Sequence, residues 1–355
     1  MANQNMEKRQ RPRRKRHPIR NTILFLVLAL LVGGTAYGMQ KYQSLKNSVK
    51  SSYKASGVKK LRNVDEQLSN KKPVSILLMG TDTGALGRSF TGRTDSMMVV
   101  TINPSTKKTT ITSIPRDTAV NIPGFEDYGT SKINAAYAYG KSKTAITTIQ
   151  KMLNIPIDFY AIINMGGMEK IINEVGGVDV TPTLSFSYGG YTFKKGVETH
   201  MNGKRALAYS RMRDDDPKGD YGRQTRQRKV IMALLNKSGS VSTLLNESFI
   251  SSLSKTTQTD LTFNDLTALA QNYRAATKHI TTTHLQGTGT TIDGQSMEVA
   301  SQTELQRVTD YIRKGLGLSK ADTGTIAQMD KASSDDSGSN ATGADNGNGA
   351  SGSNY

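Results

Sequence analysis

The 355-residue sequence has no cysteine, which removes disulfides, thiolate catalysis and cysteine-ligated zinc from consideration and agrees with an exported protein that avoids redox chemistry. Tryptophan is absent too, and nothing follows from it. Histidine is scarce, and His200, His279 and His284 lack metal-binding spacing. No serine sits in a Gly-x-Ser-x-Gly elbow, so a hydrolase triad has little support. Gly140-Lys141-Ser142 ends like a P-loop, but that loop needs a glycine five positions earlier and Ala135 is there. Tyr139-Gly140 reads instead as a helix end with glycine in a left-handed cap. There is no internal repeat. Acidic residues are few, 29 against 47 Lys and Arg, giving a formal net charge of +18.

Residues 7–20 carry Lys8, Arg9, Arg11, Arg13, Arg14, Lys15, Arg16 and Arg20 against the single acid Glu7, and an apolar run opens at Ile23. At about 1.5 Å per residue, the uncharged stretch from Asn21 to Gln40 spans roughly 30 Å, the thickness of a bilayer's hydrocarbon core. The expectation is an uncleaved signal anchor; Gly33-Gly34-Thr35-Ala36 keeps a cleaved signal peptide open as the alternative. Basic residues before the span place the N-terminus in the cytoplasm and the chain after Lys41 outside, which makes a nucleic-acid arm the poorer reading of the same charges. The expected organisation is a basic cytoplasmic segment (1–20), a transmembrane anchor (21–40), an extracytoplasmic, partly helical stalk (41–71), one folded domain (72–319) and a low-complexity disordered tail (320–355).

Within the domain, Val74–Met79 is an apolar run ended by Gly80, Met97–Ile102 is ended by Asn103-Pro104, and the β-branched Thr109–Ile114 is ended by Pro115. These read as strands, as do Phe159–Ile163, Val178–Val180 and His279–Thr283. Helical periodicity marks Ala145–Leu153, Met165–Val175, Gly203–Tyr209, Tyr221–Leu235, Phe263–Ala276 and Thr303–Leu316. The predicted fold is α/β, a mixed central β-sheet flanked by helices, preceded by a single transmembrane helix.

Arginines and aspartates recur at the ends of these elements: Gly80-Thr81-Asp82, Gly92-Arg93-Thr94-Asp95-Ser96, Pro115-Arg116-Asp117, and Arg211-Met212-Arg213 running on to Asp220, Arg223 and Gln227. Guanidinium forks match phosphate oxygens two at a time, and carboxylates hold the hard cation that accompanies a diphosphate. Asp82 and Asp95 flank strands that can lie side by side, with turn capping as the alternative role. Arg116 and Asp117 face the same rim, or form a surface ion pair worth little. Arg211 and Arg213 share a side only on non-helical backbone, which Asp214-Asp215-Asp216-Pro217 favours. Asp220 is expected to cap a helix on which Arg223 and Gln227 share one face, while Arg226 and Arg228 point elsewhere into solvent.

At these positions the chain resembles the LytR-CpsA-Psr family of bacterial cell-envelope proteins. The resemblance runs over roughly residues 72–240 in ordered motifs: Leu78–Asp82, Arg93–Met97, Ser113–Asp117, Lys132–Tyr137, Gly176–Val180, Leu207–Arg213 and Asp220–Gln227. It implies an outward-facing, membrane-anchored phosphotransferase that moves a glycopolymer of wall teichoic acid or capsular polysaccharide type from a polyprenyl-pyrophosphate carrier onto peptidoglycan. By the same resemblance Asp82 and Asp95 hold Mg2+ or Mn2+, and Arg93, Arg116, Arg211, Arg213 and Arg223 surround the pyrophosphate. Asp220 and Gln227 match further polar site residues, and the prenyl tail lies in an apolar cavity, walled here by residues of Phe159–Ile172 and Val230–Leu235. Asp117 and Asp220 are the candidate proton acceptors. The alternatives are a non-catalytic polyprenyl-pyrophosphate binding module and an envelope regulator or transcriptional attenuator, though an outward-facing domain has no access to DNA.

Overall fold

The computed structural model describes residues 42–81, 92–237 and 247–324. The expected cytoplasmic segment and membrane span, and Asp82, lie outside the described residues; among those described, no helix is long and apolar enough to cross a membrane. The chain divides into two compact units, 1–47 and 48–355, and the second holds the sheet and the predicted domain.

The centre of this second unit is a six-stranded sheet of β1 (Val74–Thr81), β2 (Thr94–Asn103), β3 (Lys108–Ile114), β4 (Phe159–Asn164), β5 (Thr257–Thr259) and β6 (Ile280–His284), in the order β5-β4-β1-β2-β3-β6. β2 lies between β1 and β3 and is antiparallel to both, β5 is antiparallel to β4, and the β1–β4 and β3–β6 pairs are parallel. The β2–β3 connection is a short turn in which Asn103 Oδ1 accepts the Thr106 N–H at 3.1 Å and Lys107 takes φ 54°. Parallel pairing of β1 and β4 requires a crossover, supplied by helix α1 (Ala135–Leu153). The remaining helices are α2 (Met165–Glu174), α3 (Gly203–Arg211), α4 (Gly219–Lys237), α5 (Glu247–Thr256), α6 (Phe263–Asn272) and α7 (Gln302–Gly315).

Both faces of the sheet are covered, which is why its strands read as unbroken apolar or β-branched runs rather than as alternations. Leu77, Met79, Met97, Val99 and Ile114 pack with Ile146 and Ile149 of α1 and Val308 and Ile312 of α7. On the opposite face Met98, Val100 and Ile111 meet Ile231 and Leu235 of α4. A second core, with Ile172, Phe186, Phe193, Tyr209 and Val230, joins α2, α3 and α4 to the short strands Val178–Val180, Phe186–Tyr188, Tyr191–Phe193 and Thr199–Met201.

Three expectations are corrected. The stalk reading fails from Ser48 onward: Val49 and Leu68 are buried, Lys60 Nζ reaches Asp260 Oδ2 at 2.6 Å, and Arg62 holds Asp158 through Nε–Oδ1 at 2.7 Å and a second contact from Nη2. Those lysine and arginine charges look solvated in isolation, yet they meet carboxylates about 100 or more residues away, and the buried Asp158 also accepts the Ser75 N–H at 2.7 Å. The tail reading fails for residues 320–324: Thr323 is buried, donates N–H to Gln306 Oε1 at 2.8 Å and its hydroxyl to Met152 O at 3.2 Å, capping a carbonyl at the end of α1. Finally, α1 is broken at Gly140 (φ −139°, ψ 25°) and Lys141 (φ 57°, ψ −150°), so the positive φ falls on the lysine. Gly140 is required by space instead, because a Cβ there would collide with Thr144 Oγ1 and lie 3.5 Å from the Phe125 ring.

Candidate active site

Antiparallel pairing brings the end of β1, the start of β2 and the end of β3 to one edge of the sheet. Gly80 pairs with Ser96 and Thr81 with Thr94, a register shift that places Asp95 in a bulge and re-aims it. Met97 pairs with Ile114, so the chain leaving β3 through Pro115 passes beside that bulge. There Arg116 Nη1 donates to Asp95 Oδ1 at 2.8 Å. Arg116 Nε stands 3.5 Å from Asp117 Oδ2, whose other oxygen takes Lys132 Nζ at 2.8 Å. Asn134 fixes the backbone, donating its N–H to Arg116 O at 3.2 Å while its carbonyl accepts the Thr94 N–H at 3.4 Å.

The first turns of α4 complete the cluster. Asp220 accepts Arg223 Nη2 on Oδ1 and Gln224 Nε2 on Oδ2 at 2.9 Å, and Arg223 Nη2 also reaches the Asp95 carbonyl at 3.5 Å. Asp220 was expected as a backbone cap; it lies inside the helix, and its carboxylate serves side chains. Burial works to lower the Arg116 pKa, but the carboxylates of Asp117, Asp95 and Asp220 outweigh it and leave the guanidinium above its ordinary value. For Arg223 burial prevails over the attraction of Asp220, and repulsion from Arg116 adds to it, so its pKa lies below the ordinary value. Two guanidiniums thus stand close enough to repel, held by three carboxylates, and the Nε of each is buried without a hydrogen bond among the described residues. Such an arrangement accepts an anion with several oxygens, which would take up the spare donors and relieve the repulsion.

The structure therefore gathers Asp95, Arg116, Asp117, Asp220 and Arg223. It does not draw in every arginine: Arg93 is exposed ahead of β2, Arg211 is exposed at the last position of α3, and Arg213 is exposed with Nε 3.2 Å from Asp214 Oδ1. The chain does leave the helix between the last two, since Met212 is extended at φ −54°, ψ 136°. Gln227, one turn after Arg223, lines a narrow cavity of about 50 Å³ with Gly80, Ser96, Met98, Ile163 and Val230. Its Oε1 is buried, with no hydrogen-bond partner among the described residues. The apolar lining of the cavity includes Ile163, Met168, Val230 and Ile231 from the two segments expected as a wall.

Arg226 and Arg228 overturn the expectation of solvated side chains, being 1% and 6% exposed. Arg226 pairs with Asp216, donates to Met212 O and lies 5.4 Å from the Phe186 ring centre. Arg228 donates to Ser113 Oγ and Thr225 Oγ1, both at 2.9 Å, and burial lowers its pKa to about 10. Helical spacing placed them off the Arg223–Gln227 face correctly, but α4 is wedged between the sheet and the second core, so that other face is buried too. Sequence reasoning also missed Glu298, whose N–H donates to Asp117 O at 2.9 Å and whose Oε2 accepts Tyr221 OH at 2.9 Å, closing the rim.

A hard divalent cation needs one or two carboxylates together with phosphate oxygens. Asp95 supplies one such carboxylate at this edge, its expected partner Asp82 lies outside the described residues, and among the described residues no group of three or more metal-ligating side chains forms a cage.

The LytR_cpsA_psr family model matches residues 36–314. The polyisoprenyl-teichoic acid–peptidoglycan teichoic acid transferase TagU of Enterococcus faecalis is 40% identical over 295 residues, covering 83% of this chain and 96% of that protein. Among solved structures, protein gbs0355 of Streptococcus agalactiae superimposes with a TM-score of 0.68 at 35% identity, covering 77% of this chain and 98% of that one. TagT bound to LIIa-WTA superimposes with a TM-score of 0.62 at 29% identity, covering 74% and 98%.

Proposed function

The chain belongs to the LytR-CpsA-Psr family, and from that premise we propose that it transfers a glycopolymer of the wall teichoic acid type from a polyprenyl-pyrophosphate carrier to peptidoglycan, releasing polyprenyl phosphate. The observation that carries this reading is the Arg116–Arg223 pair, with unused Nε donors, beside the apolar cavity at Gln227. The names of TagU and of the TagT complex favour teichoic acid over a capsular polymer.

In the proposed reaction an acceptor sugar hydroxyl attacks the glycan-linked phosphorus; the new P–O bond forms as the bond to the bridging oxygen breaks, and polyprenyl phosphate leaves with the electron pair. Arg116 and Arg223 face the oxygens on which charge builds, preorganised by Asp95, Asp117 and Asp220. Arg93, Arg211 and Arg213 bind outlying oxygens of the substrate, with Gln227 at the prenyl side. As phosphate oxygens draw the Arg223 guanidinium, the Asp220 carboxylate is released to take the hydroxyl proton; Asp117 keeps Lys132 and serves less well. Asp82 and Asp95 would hold Mg2+ or Mn2+, which supplies neutralisation of phosphate charge when bound.

The direct test is purified protein with magnesium, a polyprenyl-pyrophosphate teichoic acid precursor and peptidoglycan fragments, following polyprenyl phosphate and the glycan–acceptor product. Product is expected from wild type, with Asp95→Ala reducing the metal-dependent rate by about tenfold or more. Tight lipid binding without product would establish a binding module instead. The proposed orientation puts the domain outside the cytoplasmic membrane, a reading that the basic cluster at 8–20 supports. Protease added to intact protoplasts should therefore degrade the domain and spare the N-terminus; a protected domain would reverse the topology.

A further inference from the structure

We propose that the exposed aromatic ledge of Phe125, Tyr128 and Tyr139 is the acceptor subsite, on which an uncharged glycan strand lies while one of its hydroxyls reaches the phosphates. This rests on the transferase reading above.

The three rings form one contiguous group. Phe125 and Tyr128 are stacked with centroids 6.2 Å apart and planes inclined by 12°, and Tyr139 lies 5.3 Å from the first and 5.1 Å from the second. Single exposed aromatics are ordinary, but here Tyr128 is 66% and Tyr139 37% exposed within the same cluster. The backbone beneath it is specialised. Phe125 rests against Gly140, where no side chain fits, and Lys141 next to it adopts a left-handed conformation inside a helix. Gly129 at φ 65° ends the turn Glu126–Tyr128, and Gly124 N–H is held by Glu126 Oε1 at 2.9 Å. A non-glycine residue at positive φ costs of order 1 kcal/mol and persists where the surroundings impose it, often at ligand sites. Phe125 is partly buried against the main core, and the two tyrosines extend the cluster into solvent.

Position decides what the ledge binds. It hangs from the segments that fix the reactive edge: strand Ala119–Asn121 pairs with Thr130–Lys132, Lys132 binds Asp117, and Asn134 binds the Arg116 carbonyl just before α1 begins. α1 covers the sheet face of Leu77 and Met97, whereas the cavity at Gln227 opens on the face of Met98, against α4. In phosphoryl transfer the attacking and leaving oxygens lie roughly in line. With the prenyl phosphate leaving on the α4 side, the attacking hydroxyl arrives from the α1 side, where the ledge stands.

The chemistry agrees. A pyranose ring offers a flat C–H face that stacks on an aromatic ring, and a phenol adds a hydroxyl for its polar edge. The turn carries the exposed acids Glu126 and Asp127, which repel a polyanionic polymer or an anionic lipid surface but not a neutral glycan. The neighbouring Lys141 is folded over the buried Tyr137 ring, its Nζ 5.4 Å from the centroid.

The test uses the full-length protein in detergent, a Tyr128→Ala/Tyr139→Ala double variant, and a soluble, uncharged N-acetylglucosamine oligosaccharide as probe. Calorimetry should show at least a tenfold loss of oligosaccharide affinity in the variant, about 1.4 kcal/mol. In the transfer assay its KM for the glycan acceptor should rise by a similar factor, with kcat and the KM for the lipid carrier unchanged, and Tyr128→Phe/Tyr139→Phe should keep most of the affinity. Equal oligosaccharide affinity in wild type and the alanine variant overturns the subsite. So does a variant that loses binding to phosphatidylglycerol vesicles while its glycan affinity is intact, because the ledge is then a membrane contact. Glycan binding through the ledge without any product from wild type supports the subsite and sinks the transferase reading. Normal turnover with an unchanged acceptor KM in the variant sinks the subsite alone.

Discussion

Replacing Arg223 with Ala is expected to slow transfer by about a hundredfold or more, the usual loss when a preorganised donor to developing charge is removed, with a much smaller loss of affinity for the lipid carrier. Arg223 is 8% exposed, so its charge acts in a site with little water to screen it. Arg116→Ala should behave alike, since it occupies the same cluster through Asp95 and Asp117. Arg223→Lys should recover only part of the rate, because a point charge replaces a fork that can engage two oxygens. The confounding effect is local: Arg223→Ala strands the Asp220 carboxylate, which alone could distort the site. Adding Asp220→Asn to the Arg223→Ala background removes that stranded charge, and the rate should stay low. Recovery in the double variant would make Arg223 a neutraliser of Asp220 and not a substrate contact. Polyprenyl phosphate release measured at saturating carrier distinguishes these outcomes, and a single variant within threefold of wild-type kcat would end the assignment.

How far the sequence revealed this site depended on whether the contacts were local. β1, β2 and β3 were legible because burial on both faces makes each a continuous apolar or β-branched run, closed by Gly80, Asn103-Pro104 or Pro115. Two antiparallel steps then force Asp95 and Arg116 to one edge, so their meeting was legible as well. β5 was not, since Thr257–Thr259 is a three-residue edge strand without a pattern of its own. The packing of 48–71 was hidden for a different reason: Arg62 finds Asp158 at a separation of 96 residues, and nothing near Arg62 announces that partner. Tyr128 and Tyr139 likewise belong to different elements, and their ring contact is a tertiary one that neither local sequence announces. Helical spacing told which side chains of α4 diverge from Arg223, but not that both sides of that helix are covered.

That burial makes Arg226 the position where one substitution should cost most in stability. Its guanidinium is the largest fully buried side chain described, paired with Asp216, donating to the Met212 carbonyl and lying over Phe186. Asp216 is itself pressed against α4, where a Cβ on Gly222 would collide with its carboxylate. Arg226→Ala leaves that carboxylate buried and unpaired, and the expected loss is about 3–5 kcal/mol, read as a lower urea midpoint with an unchanged slope. Removing both charges with Arg226→Met/Asp216→Leu should cost much less than the single change, since no ion is then stranded. A single variant within about 1 kcal/mol of wild type would mean that water reaches Asp216, so that the pair is not buried in solution. The consequence extends to the site, because residues 212–219 carry Arg213 and come directly after Arg211. Well below its melting temperature, Arg226→Ala should therefore also transfer more slowly, while the Met/Leu pair, which keeps the loop packed without the ions, should approach the wild-type rate.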